Sequence, residues 1–243
     1  GLPGILMLSS QVDREDPLHI YGPPKIREYI DANRKALEMY INYEIVIHEI
    51  QKPDVPMDIH YGNGFRVRVF PAAHSRVCYG YSLIEDKRPG IFLPENARNA
   101  GVPVGPLWGE LQDGNPVVLE DGRVVESSDV LGPPRQGRKI TFITDSLPIN
   151  SLAEEMNGSD VVICEGMYLS EESDTAAEKR HMTGVQAADL AVRAGKVGKL
   201  GLVHFSPRYS KSDIAKIADE ARNIFPPAFA ASDGMCIEIP FVD

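Results

Sequence analysis

Residues 200–209 read Leu-Gly-Leu-Val-His-Phe-Ser-Pro-Arg-Tyr, an apolar run that ends in a histidine and leads into a turn carrying an arginine. The first five residues predict a buried strand that ends at His204. Ser210 with Asp213 then has the spacing of a helix-capping box, which predicts a helix from Ser210 to about Ile224. A strand followed directly by a helix is typical of α/β proteins.

The same order occurs upstream of this segment. Residues 139–144 and 160–164 have the composition of buried strands. Thr183 and Gln186 form a second capping-box pattern before a predicted helix over 184–194. Repeated strands and helices with no internal sequence repeat indicate a mixed α/β (α+β) fold.

The N-terminal part and a central segment differ from this pattern. Helical spacing of apolar residues predicts a helix over 25–40, whereas alternation over 43–50 and 65–70 predicts half-buried antiparallel strands. Residues 86–138 contain many of the prolines and glycines, the single tryptophan and a predicted hairpin over 117–125. We interpret residues 86–138 as an insertion that projects from the main body.

Four polar side chains each follow a strand-like run. His74 comes after the alternating run 65–70, while Asp145, Glu165 and His204 end the three buried runs. Because ligands gather just beyond strand ends in α/β sheets, these side chains are expected to meet in one pocket. Imidazole and carboxylate are ligands that zinc prefers, so His74, Asp145 and His204 are candidate metal ligands.

Each of these residues also has a structural explanation when it is considered alone, which is the better one for a histidine and an equally good one for Asp145. A single histidine at a strand end is more often a hydrogen-bonded core or surface residue, and Asp145 also fits a turn or helix cap. His19, His48 and His60 lack the strand-end setting and are interpreted as structural or surface residues. Cys164 lies in an apolar run, which favours packing over nucleophilic chemistry.

Two further residues are placed for phosphate chemistry. His181 stands at the predicted entry to a helix, and helix N-termini bind anions, so its imidazole could donate a proton to a phosphate or leaving group. Arg208 follows the candidate ligand His204 by four residues, next to a second helix start, which suits phosphate recognition. Together these residues indicate metal-assisted attack on a phosphate ester.

The motifs in this order resemble ribonuclease Z, the tRNA 3′-processing endonuclease family of the metallo-β-lactamase superfamily. Residues 203–209 resemble the last metal-ligand motif of that family. His74, followed by Gly80-Tyr81, is similar to an earlier metal-binding histidine, and Asp145 to the aspartate that bridges two zinc ions. Residues 1–4 resemble the segment that directly follows the family's HxHxDH zinc motif, so we expect the chain to be N-terminally truncated.

The resemblance assigns the remaining site residues as well. Glu165 and His181 match a carboxylate–histidine pair that supports proton transfer to the leaving group, and Ser206 and Arg208 match the phosphate-binding region. Residues 105–108 and 119–123 resemble the flexible arm of bacterial ribonuclease Z, in which the arm grips tRNA. Gly105 and Pro106 are therefore candidate substrate-binding residues.

The resemblance implies a metallo-β-lactamase αββα four-layer sandwich that lacks its N-terminal strands. Residues 1–85 and 139–243 would form the core and residues 86–138 the flexible arm. The implied function is hydrolysis of a phosphodiester at the 3′ end of precursor tRNA by two zinc ions, with manganese or another divalent metal as alternatives. A homodimer is also implied.

Three departures from the family pattern bear on these expectations. Without the HxHxDH motif, this chain by itself is expected to bind metal incompletely and to be inactive. The usual Gly-Asp-Thr and His-Glu-Ala-Thr sequences read Thr-Asp-Ser over 144–146 and Cys-Glu-Gly-Met over 164–167. The arm carries acidic residues over 109–114 where family arms carry lysines, which disfavours tRNA binding.

Composition narrows the class of protein. The 243 residues include three widely spaced cysteines, which argues against a disulfide framework and for a reducing cytoplasm. No apolar run approaches the ~18 residues of a membrane helix, so no membrane partner is expected. The net charge of −10 disfavours non-specific nucleic-acid binding.

Two alternatives to a tRNA endonuclease follow from these departures. The acidic arm and net charge favour a hydrolase of small phosphodiesters or sulfate esters on the same scaffold. A non-catalytic binding protein becomes the leading interpretation if the HxHxDH motif is absent from the complete gene product.

Overall fold

The computed structural model describes residues 1–12, 14–51 and 55–241. Leu6 and Ile30 are buried in a small apolar cluster that joins the first two helices to the first two strands. The strands pair in parallel, with Leu18 opposite Ile45. These four elements are α1 (Leu2–Gln11), β1 (Leu18–Gly22), α2 (Ile26–Ala36) and β2 (Ile45–Glu49).

Two expectations for this region are wrong. The strand predicted over 43–50 is not antiparallel: α2 carries the chain back to the starting end of β1, so β2 runs in the same direction as β1. The helix predicted over 25–40 ends at Ala36. Glu38 adopts a left-handed backbone with φ of 47°, which interrupts the helical path although the apolar spacing continues.

Three antiparallel strands follow, β3 (Met57–Gly62), β4 (Phe65–Ala73) and β5 (Val77–Glu85). The pairing of β4 with β5 extends from Phe65 opposite Glu85 to Ala73 opposite Val77. The antiparallel strand predicted over 65–70 is therefore confirmed, and it continues to the residue before His74.

Residues 86–138 contain their own short elements and their own apolar cluster, in which Leu111 and Val130 are fully buried. Isolated bridges join Arg88 to Arg135 and Phe92 to Leu131, so the two ends of the segment run side by side. We call residues 86–92 and 131–138 the stalk and residues 93–130 the knob. The knob contains α3 (Pro94–Asn99), α4 (Pro106–Gln112), β6 (Val117–Val118), β7 (Val124–Val125) and α5 (Ser127–Val130). Strands β6 and β7 pair antiparallel, which confirms the predicted hairpin.

The chain then alternates between strands and helices. The strands predicted over 139–144, 160–164 and 200–204 and the helices predicted over 184–194 and 210–224 are present, and two short helices and a last strand occur in addition. Strands β8 to β11 are all parallel, and β8 pairs antiparallel with β5, which gives one seven-stranded sheet in the order β11-β10-β9-β8-β5-β4-β3. Its elements are β8 (Lys139–Ile143), α6 (Asn150–Met156), β9 (Ser159–Glu165), a 3-10 turn (Ser170–Glu172), α7 (Ser173–Glu178), α8 (Gly184–Ala194), β10 (Val197–Val203), α9 (Lys211–Ile224) and β11 (Ala228–Ala230).

The main core lies between this sheet and helices α6, α8 and α9. Phe70, Ile143 and Leu202 from the strands pack against Leu190 and Ile217 from the helices, all at most 1% exposed. Burying a side chain of this size contributes about 1.5–3 kcal/mol. The packing holds the strand ends in fixed positions relative to α8 and α9.

Both predicted capping boxes are confirmed. The Thr183 hydroxyl accepts from the backbone N–H of Gln186, and the Ser210 hydroxyl accepts from that of Asp213. Helices α8 and α9 thus begin close to the predicted residues, directly after the segments that hold His181 and Arg208.

Among the described residues, no helix combines the length and the apolar character that a membrane crossing requires.

Candidate metal centre and active site

The four predicted strand-end residues converge at one edge of the sheet. His74 follows β4, Asp145 lies two residues after β8, Glu165 is the last residue of β9 and His204 follows β10. Strands β8, β9 and β10 are parallel neighbours, and β4 points the same way because it is antiparallel to β5, which is antiparallel to β8. Their carboxyl ends therefore meet at the same edge.

Asp145 lies between the two strand-end histidines. The Nε2 atom of His74 is 3.8 Å from one oxygen of the Asp145 carboxylate, and the Nε2 atom of His204 is 3.5 Å from the other. A carboxylate that presents one oxygen to each of two imidazoles can serve two ions at once. Each oxygen of the Asp145 carboxylate thus faces a different imidazole.

The backbone orients both histidines. The Nδ1 atom of His74 is 3.0 Å from the carbonyl oxygen of Arg180, so a proton on Nδ1 leaves the lone pair of Nε2, on the side of Asp145, free to bind a metal. His204 has a φ of 61°, a left-handed conformation that is uncommon outside glycine. Such backbone strain concentrates at functional sites.

Glu165 forms a buried pair with His181. The side chain of Glu165 is fully buried, and the Nδ1 atom of His181 lies 3.2 Å from each of its carboxylate oxygens. The backbone N–H of Met182 also donates to this carboxylate. Glu165 therefore fixes the ring of His181, and the Nε2 atom is the ring nitrogen left for other partners.

Burial sets the protonation of this pair. Desolvation raises the pKa of Glu165 to about 8, against the two backbone hydrogen bonds that lower it, and the charge of Asp145 adds to the increase. Desolvation also lowers the pKa of His181, with contributions from the neighbouring His204 and His74, although Asp145 opposes this shift. A buried acid and an imidazole at this distance can share one proton between them.

Ser146 is a site residue that the sequence reasoning did not single out. Its backbone N–H donates to Glu165, and its buried hydroxyl accepts from the backbone N–H of Ala73. Ser146 thus joins the end of β4, the end of β8 and the Glu165 carboxylate. It occupies the third position of the Thr-Asp-Ser sequence, so a hydroxyl is retained where the family has threonine.

Arg208 and Ser206 lie in the turn after His204. The guanidinium of Arg208 donates to the carboxylate of Glu172, which also accepts from the hydroxyl of Tyr209, and it packs 5.2 Å from the ring centroid of Tyr168. Ser206 is 8% exposed, and its backbone N–H donates to Met167. The sequence contained no local signal for Glu172, because it lies 36 residues before Arg208.

Gly105 and Pro106 are located elsewhere. Gly105 precedes α4 in the knob and Pro106 is the first residue of that helix, so both lie in the knob and not at the sheet edge. The remaining histidines, His19, His48 and His60, form a separate group with Tyr21 on strands β1 to β3.

The donor set at the sheet edge suits a divalent metal. In two groups of three residues, the ligand atoms lie within 4.8 Å of one another: His74, Asp145 and His181, and Glu165, His181 and His204. Imidazole nitrogens with carboxylate oxygens are ligands typical of zinc and related divalent ions. His181 belongs to both groups, whereas the sequence reasoning placed it outside the metal ligands.

The chain is similar over its full length to curated proteins. It is 48% identical over 243 residues to the ribonuclease Z of Treponema denticola, covering 100% of this chain and 78% of that protein. It is 44% identical over 241 residues to the ribonuclease Z of Treponema pallidum strain Nichols, covering 99% and 76%. The chain belongs to the ribonuclease Z family. This confirms the resemblance read from the ordered motifs.

More distant ribonuclease Z proteins extend the relationship. That of Haloferax volcanii is 35% identical over 244 residues and covers 100% of this chain and 75% of its own length. No protein-family model matches the sequence.

Solved structures confirm the expected metallo-β-lactamase fold. The short form of human tRNase Z matches with a TM-score of 0.63 at 20% identity, covering 99% of this chain and 74% of that one. The metallo-β-lactamase fold protein YhfI of Bacillus subtilis matches with a TM-score of 0.57 at 17% identity, covering 96% and 69%. At these identities the similarity concerns the fold alone.

The three cysteines Cys78, Cys164 and Cys236 are all free. Cys164 is fully buried, with its sulfur 3.9 Å from that of Met182, and burial raises the pKa of its thiol. A buried neutral thiol is a packing residue, because the thiolate is the nucleophile.

Proposed function

We propose that this chain provides the catalytic half-site and the arm of a ribonuclease Z, an endonuclease that hydrolyses a phosphodiester at the 3′ end of precursor tRNA. The observation that carries the proposal is the pair of imidazoles on the two oxygens of Asp145 beside the buried Glu165–His181 pair, in a chain that belongs to this family. Activity of the complete enzyme further depends on the HxHxDH ligands that the resemblance implies.

His74, Asp145 and His204 would hold two divalent ions, with zinc as the first choice and manganese as an alternative. Such ions supply Lewis-acid polarisation of the phosphate and of an attacking water. Asp145 would contribute its carboxylate to this set, because its two oxygens face the two imidazoles. The carbonyl of Arg180 supports this set by holding Nδ1 of His74.

His181 would supply the proton to the leaving oxygen. Glu165 occupies its Nδ1 atom, so Nε2 is the atom that can donate. Burial of Glu165 keeps the acid and the imidazole in one hydrogen-bonded unit that holds the ring at a fixed angle. An acid that is fixed in this way acts without the cost of ordering a mobile side chain.

Arg208 and Ser206 would contact the substrate phosphate. The guanidinium of Arg208 is half exposed and already binds the Glu172 carboxylate, an anion whose geometry resembles that of a phosphate. Substrate would displace Glu172 from Arg208 while Tyr168 and Tyr209 keep the guanidinium in place through ring contacts.

The core would comprise residues 1–85 and 139–243, and residues 86–138 the arm that contacts tRNA away from the cut. Gly105 and Pro106 would contact RNA at the start of α4. The knob is acidic, so the Glu110→Lys, Asp113→Lys double variant tests this contact. Each lysine that binds a phosphate steepens the slope of log KM against log salt by about 0.7–0.9. An unchanged slope would show that the arm does not hold RNA.

We propose a homodimer and a cytoplasmic location, as the family resemblance implies. The exposed apolar side chains of α1 support an interface between copies, since Ile5 is 56% and Leu8 62% exposed. Sedimentation equilibrium tests this. A monomer at micromolar concentration would refute the dimer. The three free cysteines accord with a reducing compartment.

The main test uses the protein expressed from its complete gene. We expect bound divalent metal, endonucleolytic cleavage of a 3′-extended precursor tRNA, and loss of both in the His204→Ala and Asp145→Ala variants. His19→Ala is the matched control, because His19 lies in the separate histidine group.

Two results would refute the proposal. Metal binding with hydrolysis of bis(p-nitrophenyl) phosphate but no cleavage of precursor tRNA would favour a small-phosphodiester hydrolase. Absence of bound metal in the complete gene product would favour a binding protein without catalysis.

A further inference from the structure

The last described residues of the chain lie against the base of the arm. Ile237 and Ile239 line one crevice of about 260 Å³ together with Leu83 of β5 and Ile140 of β8. In the segment 236–240 these two isoleucines are half-buried, while Cys236, Glu238 and Pro240 are exposed. This alternation is typical of an extended segment with one face on a sheet. We call residues 237–241 the tail.

The tail ends on both limbs of the stalk. The guanidinium carbon of Arg88 lies 3.9 Å from the ring centroid of Phe241, and that of Arg138 lies 4.3 Å from it. Arg138 also donates to the carbonyl oxygen of Ile239 at 3.2 Å. Arg88 belongs to the outgoing limb and Arg138 to the returning limb, so one aromatic ring contacts both.

Arg138 connects the same point to the sheet. Its Nη2 and Nε atoms donate to the two carboxylate oxygens of Glu85, the last residue of β5, at 2.6 and 2.8 Å. A bidentate pair of this kind fixes the plane of the guanidinium. The ring of Phe241 therefore packs on a cation that is already oriented, and the two limbs, β5 and the tail form one cluster.

The length of the stalk makes its base important. A limb of seven residues spans about 23 Å at ~3.3 Å per residue, so a rotation of about 10° at the base would move the far end by roughly 4 Å. Such a displacement is as large as the distance between two atoms in contact, so it would break contacts between the knob and a bound substrate. An arm that holds a large substrate thus depends on contacts that fix its angle at the base.

We propose that Phe241 is a positioning residue for RNA: the tail clamps both limbs of the stalk and sets the orientation of the arm. The substrate part of this inference depends on the proposed tRNA endonuclease function. Phe241 acts through the arm and touches neither the reacting phosphate nor the candidate metal ligands. It therefore matters for a substrate long enough to reach the arm and not for a small one.

The test compares Phe241→Ala with Phe241→Trp in the protein expressed from its complete gene. An exposed cation–π contact contributes a factor of about 2–5, so loss of two should raise the KM for precursor tRNA about four- to 25-fold. We expect kcat to stay within about twofold and hydrolysis of bis(p-nitrophenyl) phosphate to be unchanged. Phe241→Trp retains the aromatic face and should restore the wild-type KM. Met235→Ala, which removes an exposed side chain two residues before the tail, is the matched control.

Hydrogen exchange supplies a readout that does not depend on activity. Amides of residues 87–92 and 131–137 should exchange about fivefold faster in Phe241→Ala, while those of α8 should not change. Unchanged exchange in the stalk would overturn the clamp whatever the substrate is. An unchanged KM in an enzyme that cleaves precursor tRNA, or equal losses on both substrates, would overturn the positioning role. Failure of the wild type to cleave precursor tRNA would instead refute the proposed function and, with it, the RNA part of this inference.

Discussion

The capping box of α8 permits a quantitative prediction about the segment that holds His181. Thr183 is 1% exposed; its hydroxyl accepts from the backbone N–H of Gln186 at 3.2 Å, and its own N–H donates to the Gln186 side chain at 2.9 Å. Loss of a cap costs about 1 kcal/mol, and loss of a buried methyl group costs about 0.8 kcal/mol. Thr183→Ala should therefore lower the free energy of unfolding by about 2 kcal/mol.

Two further substitutions separate these contributions. Thr183→Val keeps the volume and removes the hydroxyl, so it should lose about 1–2 kcal/mol including the unpaired N–H of Gln186. Thr183→Ser keeps the hydroxyl and should lose only about 0.8 kcal/mol. Ser210→Ala removes the equivalent cap of α9 at an exposed position. It should cost about 0.5–1 kcal/mol, because water can replace the lost partner.

Urea-induced unfolding measures these differences as shifts in midpoint at constant m-value. The reasoning is refuted if Thr183→Val is as stable as the wild type, or if Thr183→Ser is as unstable as Thr183→Ala. In either case the hydroxyl would not stabilise the helix start. A change in m-value would indicate that the substitution altered more than the cap.

Two other predictions concern the stability of the stalk and the knob. The fluorescence of the single tryptophan, Trp108, which lies in the knob, measures both. Gly90→Ala should destabilise the stalk, because its Cβ would lie 1.8 Å from a backbone oxygen of the facing limb. Gly109→Ala is the control: its Cβ meets open space, so it should stabilise α4 by up to about 1 kcal/mol. Equal changes in stability for the two variants would refute the close approach of the two limbs at Gly90. Hydrogen bonds from Arg138 hold the pKa of Glu85 below its usual value. A carboxyl group whose pKa is lowered on folding stabilises the fold only while it is ionised. The Glu85–Arg138 pair should therefore stabilise the base of the stalk equally at pH 7 and 5.5, and this stabilisation should be lost as the pH falls through the lowered pKa. If the acid transition of the tryptophan fluorescence is the same in Glu85→Gln as in the wild type, the prediction is wrong.

Strands β8, β9 and β10 and helices α8 and α9 were predictable because their signals are local. Each strand is a short apolar run, and each helix after His181 and Arg208 starts at a capping box contained within four residues. The common location of Asp145, Glu165 and His204 followed from the general rule that parallel strands end at the same edge of the sheet. The same rule predicted the meeting of His74, Asp145 and His204.

The pairing in the N-terminal part was not predictable in this way. Apolar alternation over 43–50 identifies a strand but contains no information on its partner, and the partner is set by the path of α2. The end of α2 at Ala36 was also missed, since apolar spacing continued past Glu38 while the backbone there turned left-handed. Direction and termination of this kind depend on contacts between segments far apart in the chain.

The sequence by itself determined three strands and two helices in the part of the chain after residue 138, the polar residues at the ends of those strands, and the family to which the ordered motifs point. Only the tertiary structure decided which polar atoms meet: the two oxygens of Asp145 toward two histidines, the hydroxyl of Ser146 against the end of β4, and the ring of Phe241 on both limbs of the stalk. Local periodicity and capping act over a few residues, whereas these contacts join positions brought together by packing of the sheet against its helices. The residue types in the sequence therefore indicated the chemistry of the site. Its geometry depends on the buried core, which fixes the positions of the strand ends.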